Sequence, residues 1–194
     1  MSRFRLILVA LAVTGVLAVG CNRREAPEGE ATQVVDTELM AFLSEARALH
    51  HQANMKEEAN DLAGAAGAMS RLVTARRPHE GKTMPEVEEV LADAYARLAE
   101  LHLRQNALSP AAEAIAAGLT HAPRPTYFRG RLLEVQGLVE EARAAALADA
   151  GKPAEAVRAR EKAIELLEEV VRIQDQVIQR SVAGRDAGPV EVPR

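Results

Sequence analysis

Cys21 is the only cysteine in 194 residues, and it directly follows an apolar run in Val16-Leu17-Ala18-Val19-Gly20-Cys21. One thiol can build neither an internal disulfide framework nor a thiolate zinc site, since both need several sulfurs. That leaves a single role to find for Cys21. The five histidines offer metal ligation as the next chemistry to test. His50 and His51 are adjacent and point about 100 degrees apart on a helix, whereas His51 and Met55 share a face at i, i+4 and offer two donors to a soft ion such as copper(I). Two donors do not make a site, and the other histidines are scattered at 79, 102 and 121, so no metal is expected. Nucleophilic catalysis has no better footing. The chain has no Gly-x-Ser-x-Gly and no phosphate-binding loop, and the pairs Glu57-Glu58, Glu88-Glu89 and Glu140-Glu141 are neighbours along a helix, which marks a solvated face. An enzyme is not expected, so function must come from an anchor and a surface.

The anchor is written at the N-terminus. Arg3 and Arg5 precede an apolar run from Leu6 to Val19, relieved only by Thr14 and Gly15, and small Gly20 stands before Cys21. This is the layout of a secretory signal. As a transmembrane anchor the run falls short of the roughly 20 apolar residues needed to cross a hydrocarbon core. The stretch Leu17-Ala18-Val19-Gly20-Cys21 resembles the lipobox of bacterial lipoproteins. That resemblance implies a diacylglycerol on the Cys21 sulfur, cleavage before Cys21 and an acyl chain on the new N-terminus, with the body held to a membrane outside the cytoplasm. Several acyl chains, each CH2 contributing about 0.8 kcal/mol on burial, give a hold that one chain gives only marginally. Residues 1–20 are then the signal peptide. Residues 21–35 are the lipidated Cys and a flexible tether, polar, aperiodic and carrying Pro27 and Gly29.

The elements that would form the surface are helical. Apolar residues make up 48% of the chain, but aromatics only 3%, with Ala, Leu, Glu and Arg dominant, a composition suited to helices packed closely through small side chains. An all-α fold without sheet is expected. Removing Arg3 and Arg5 turns 24 basic against 28 acidic side chains into 22 against 28, a net −6. Nucleic acid is therefore not an expected partner, because phosphate binding needs a concentrated basic face. Helical spacing, as in Leu39, Phe42, Leu43, Ala46 and Leu49, predicts helices over 36–60, 63–77, 84–106, 110–120, 126–150 and 153–181. Punctuation sets the breaks: Thr83-Met84-Pro85-Glu86 as a capping box, Ser109-Pro110 as an N-cap with Pro after it, and Gly151-Lys152-Pro153 between two helices.

Setting Pro78 over Pro123 exposes a period of 45 residues, with units beginning near Arg47, Ala92 and Gly137. Such self-similarity predicts stacked helical hairpins, each burying its apolar face on the next. The middle unit resembles the tetratricopeptide repeat through Tyr95, Leu98, Ala99, His102, Ala111, Ile115, Gly118 and Pro123. Small Ala99, Ala111 and Gly118 would let two antiparallel helices approach, and Tyr95, Leu98 and Ile115 would fill the space beside them. The resemblance implies a short solenoid of about three hairpins over 36–181, ending in a long helix. It also implies a concave groove on the first helix of each unit: His51, Met55 and Glu58 with Ala48, then Glu100 and Arg104 with Asp93, Ala96 and Leu103, then Glu141 and Asp149 with Leu138, Ala145 and Ala148.

These groove residues are apolar and mostly acidic, so a basic-amphipathic segment of another envelope protein would complement them. On the last helix Val157, Ile164, Val171 and Ile178 fall at strict sevens, with Ala163, Leu167, Val170 and Val177 beside them. This seam is expected to pack on the preceding helix, and its exposed end could support a weak homodimer. The tail 182–194, with Gly184, Gly188, Pro189 and Pro193, is expected to be disordered. The leading expectation is a lipid-anchored helical adaptor with no bound cofactor. A helical carrier of a ligand or metal and a purely structural spacer are the alternatives.

Overall fold

The computed structural model describes residues 35–80 and 82–186. Cys21, the signal segment, nearly all of the tether and the end of the tail lie outside the described residues. Six helices run over Thr37–Glu58 (α1), Leu62–Val73 (α2), Pro85–Arg104 (α3), Leu108–His121 (α4), Tyr127–Asp149 (α5) and Pro153–Asp186 (α6), and no strand occurs among the described residues. No described helix is long and apolar enough to cross a membrane.

Local chemistry explains most helix ends. Asp36 caps α1 by accepting from the Leu39 amide at 3.0 Å, Asp61 caps α2 through Gly64 at 2.8 Å, and Thr126 caps α5 through Arg129. The loop after α2 is tied to the start of α1, with the His79 amide donating to Glu38 at 2.9 Å and the His79 ring 2.8 Å from Asp36. The Leu39 amide and His79 together hold the Asp36 carboxyl below its usual pKa.

Four expected boundaries differ. Thr83 does not cap α3: the proline at 85 forces Met84 into an extended conformation (φ −116, ψ 124), so Met84 becomes the N-cap without a side-chain bond. Ser109 is not a cap either, because α4 already starts at Leu108 and the Ser109 hydroxyl turns to Glu113 at 3.3 Å. Pro110 still lies in the first turn, where a missing N–H costs nothing. Next, α2 stops at Val73 rather than near 77, and the Thr74 hydroxyl at its C-cap donates to the carbonyls of Ser70 and Arg71. At the other end of the chain α6 continues past the expected limit at 181 to Asp186.

The turns after α1, α3 and α5 are alike. Asn60, Asn106 and Gly151 adopt positive φ (57, 58 and 72 degrees), and the following amide reaches five residues back, Asp61 to Lys56, Ala107 to His102 and Lys152 to Leu147, at 2.8, 2.9 and 2.9 Å. This is the left-handed helix stop that Gly and Asn enter most easily.

Each helix packs on its sequence neighbours, and α3 also contacts both α1 and α5. The main core joins Phe42, Met69, Leu72, Leu91, Leu101, Ile115, Val135 and Val139, and a smaller cluster joins Leu133 of α5 to Leu166 and Ile173 of α6. Small residues set the closest approaches. Ala99 and Ala111 are fully buried, and a β-carbon at Gly118 would lie 2.5 Å from Leu132 Cδ2 and 2.8 Å from Tyr95 Cβ.

The last helix corrects the expected seam. Its inward stripe is Ala156, Ala159, Ala163, Leu166, Val170, Ile173 and Val177, which alternates threes and fours against α5. Val157, Ile164, Val171 and Ile178 face solvent, each at least half exposed. The choice follows from α5: at Gly137 the Ala163 carbonyl and the Leu167 side chain would sit 3.5 and 3.2 Å from a β-carbon, and at Gly130 Ile173 Cγ2 and Gln174 Nε2 would sit 3.6 and 2.8 Å from one. A stripe of small residues meeting glycines brings the two backbones close and multiplies their dispersion contacts.

Candidate functional site

The charged side chains gather where α1 meets α3. On α1, His50, Asn54 and Glu57 follow one another at helical spacing on the face toward α3, and on α3 Asp93, Arg97, Glu100 and Arg104 do the same. Arg97 donates to Asn54, to Glu57 and, at 3.3 Å, to His50 Nδ1, while Arg104 also donates to Glu57. From α5, Arg131 reaches Asp93 at 2.8 Å and Glu100 at 3.4 Å. This network ties the three helices together along one side of the body.

Its titration follows from the contacts. Burial pushes the Glu57 carboxyl up, but bonds from Arg97 and Arg104 outweigh it and leave the pKa lowered. Burial opposes the Arg131 cation, and Asp93 and Glu100 overcome it, so its pKa rises. Burial also holds the His50 pKa below its usual value; Asp93 pulls it up, while Arg97 and Arg131 push it down. Because Arg97 donates to Nδ1, the neutral ring carries its proton on Nε2, 3.9 Å from Asp93.

Toward the N-terminal ends of α1 and α3 the network gives way to an open cleft of about 370 Å3. Leu43, Ala46, Val90 and Phe128 contribute an apolar lining, and Arg47, His50, Glu86, Glu89 and Asp93 the polar one. Glu86 and Glu89 are exposed and make no ion pair among the described residues. A second, smaller cleft of about 190 Å3 lies by His121, which bonds Glu88 at 2.6 Å and stacks on Tyr95 with centroids 5.5 Å apart. That volume falls below the roughly 300 Å3 at which small-molecule pockets begin.

The residues expected in the groove divide. Glu100 and Arg104 are in the network, but Glu100 is paired with Arg131 and so adds little free negative charge. His51, Met55 and Glu58 are exposed on another face of α1, where His51 and Met55 line a shallow depression with Ala48, Gln52, Lys56 and Ala59, all from that helix and its C-cap. The residues that do face α3 stand one position earlier, at 50, 54 and 57, and one position rotates a helix face by about 100 degrees. Glu141 and Asp149 are exposed on α5, and neither enters the network. Of the repeat signature, Leu98, Ala99, Ala111, Ile115 and Gly118 are buried, Tyr95 is half-buried, and Pro123 is exposed. Arg97 and Arg131 were not expected in the groove; their signal was their position, one turn from Asp93 and Glu100 on α3 and across from them on α5. Among the described residues no three of His, Cys, Asp and Glu converge as metal ligands.

No family model, no curated protein and no solved structure matches this chain.

Proposed function

We propose that this chain is a bacterial cell-envelope lipoprotein, anchored through acyl chains on Cys21, whose body acts outside the cytoplasm as a helical-repeat adaptor for another envelope protein. The lipobox-like Leu17-Ala18-Val19-Gly20-Cys21 supports the anchor. Three tetratricopeptide-like hairpins are the architecture in this reading. The similar turns at Asn60, Asn106 and Gly151 support it, as does the run of contacts between α5 and α6, which ascends from Gly130 to Gly137 in one helix while descending from Gln174 to Leu167 in the other. The observation that carries the adaptor role is the cleft beside α1 and α3: apolar lining, two unpaired carboxylates at Glu86 and Glu89, and walls tied by the Arg97 and Arg131 network. Its complement is a basic-amphipathic segment, which would place apolar side chains on Leu43 and Val90 and a Lys or Arg beside Glu86 and Glu89.

The test pairs two variants of the full chain. Cys21→Ser is expected to leave the helices intact while the protein leaves the membrane fraction, and equal membrane association of a cleaved Cys21→Ser protein overturns the anchor. Glu86→Lys with Glu89→Lys is expected to abolish salt-sensitive capture from envelope extracts without changing the melting temperature, since exposed charges contribute little to folding. Unchanged capture at low salt removes the cleft as the working surface and leaves a structural spacer.

A further inference from the structure

Among the described residues, His50 is the one histidine that belongs both to the charged network and to the lining of the open cleft. Its side chain is 25% exposed. A guanidinium has only donors, so the bond from Arg97 at 3.3 Å requires a lone pair on His50 Nδ1 and hence a neutral ring. A second proton would set N–H against N–H and one cation against another. Arg97 is not free to retreat, because Asn54 and Glu57 hold its other terminal nitrogen. The ring is therefore the part that moves. The charges around it come from three helices. Where the ring sits, Arg97 and, from α5, Arg131 oppose an imidazolium, as does burial. Asp93 favours one, 3.9 Å from Nε2, but already bonds Arg131. Glu57 and Glu100 are taken up by Arg97, Arg104 and Arg131. Toward the cleft the balance reverses. Glu89 stands one turn before Asp93 on the same face of α3, and Glu86 one turn before that, both exposed and without an ion pair among the described residues. Arg47 is the cation in the cleft lining, exposed on α1, and its long stem lets the charge stay in water. An imidazolium thus meets two free carboxylates and one solvated cation in the cleft, against two fixed cations and one shared carboxylate in its present place.

We propose that protonation of His50 closes the cleft to its basic partner: the ring leaves Arg97 and turns toward Glu89, and the chain's own imidazolium takes the place of the partner's Lys or Arg. This inference rests on the adaptor reading of the cleft. A neutral ring leaves Leu43, Val90, Phe128 and both carboxylates open to the partner, and a charged ring competes for them. The sign follows from burial, which lowers the pKa of the ring from 6.5. Capture is full at neutral pH and is lost as pH falls through the folded midpoint. Glu57, whose own pKa is lowered from 4.5, keeps Arg97 in place as the ring takes its proton. Because the partner binds only the neutral form, its apparent Kd rises about tenfold for each pH unit below the midpoint.

The probe is a short fluorescent peptide of alternating leucine and lysine, titrated against the full chain over a range of pH while nuclear magnetic resonance follows the His50 midpoint. The parent is expected to lose about tenfold in affinity over the pH unit below that midpoint, and saturating peptide to lower the midpoint itself, as reciprocal linkage demands. His50→Gln carries an amide oxygen that accepts from Arg97 but takes no proton. Whatever its affinity at neutral pH, it is expected to lose most of that fall. His51→Gln, altered on another face of α1, is expected to keep it. Parent affinity constant across the midpoint, the same fall in His50→Gln as in the parent, or a midpoint that peptide does not move overturns the inference and leaves the adaptor reading standing. A peptide that binds at no pH, or binds as well after Glu86→Lys with Glu89→Lys, overturns the adaptor reading and this inference with it.

Discussion

Replacing Gly118 with alanine tests the closest approach in the fold. An added β-carbon would sit 2.5 Å from Leu132 Cδ2 and 2.8 Å from Tyr95 Cβ. The leucine methyl can rotate away, but Tyr95 Cβ is fixed to the α3 backbone, so α3 and α4 must separate. Overpacking of this kind costs about 1 to 3 kcal/mol, and alanine returns about 1 kcal/mol through its higher helix propensity. The sum is a loss of up to about 2 kcal/mol, or up to about 8 °C in melting temperature for a domain of this size. Gly67 in α2 supplies the control, since a β-carbon there meets nothing within 4 Å. Gly67→Ala should therefore keep only the propensity gain and raise the melting temperature by about 1 to 4 °C. Thermal melts followed by circular dichroism measure both. A Gly118→Ala protein stabilised as much as Gly67→Ala would refute the packing of α3, α4 and α5 described above.

The charged network makes two further predictions. The folded pKa of His50 is lowered, mainly by burial, so protonation favours the unfolded chain: its contribution is complete above the unfolded value of about 6.5 and is lost as pH falls from there toward the folded value. Nuclear magnetic resonance should place its midpoint below 6.5, and lower still in Asp93→Asn, which removes the one charge pulling it up; a midpoint above 6.5 refutes the placement. The Glu57 pKa is lowered as well, so its stabilisation is present above about 4.5 and disappears as pH falls through the folded value. Glu57→Gln should cost about 1.5 to 3 kcal/mol in urea melts at pH 7, the range for charged hydrogen bonds, and nearly nothing at the acid end, where the parent carboxyl is protonated too. A difference independent of pH would mean that the two arginines do not hold a carboxylate there.

The helices were legible because helix formation and termination are local. The spacing of Val87, Leu91, Ala94 and Leu98 predicts a helix wherever the chain is placed, and Gly151-Lys152-Pro153 stops one helix and starts the next within three residues. Asn60 and Asn106 carried the same stop signal in plain view, since asparagine enters the left-handed region more readily than other side chains. Where two local solutions compete, the sequence leaves the choice open, as at Thr83, which could cap α3 but yields to the constraint that Pro85 puts on Met84.

What only the tertiary structure decided is which face of each helix looks inward. On α1 the alternatives 51, 55, 58 and 50, 54, 57 differ by one position, and the reach of Arg97 and Arg104 from α3 selects the second. On α6 both apolar stripes repeat every seven residues, and hydrophobicity favours the larger side chains of Val157, Ile164, Val171 and Ile178. The chain buries the other stripe because Gly130 and Gly137, lying in a different helix, let Ala163, Leu167, Ile173 and Gln174 come within contact distance. Periodicity is a property of one segment, whereas burial is settled by the shape of the neighbour it meets.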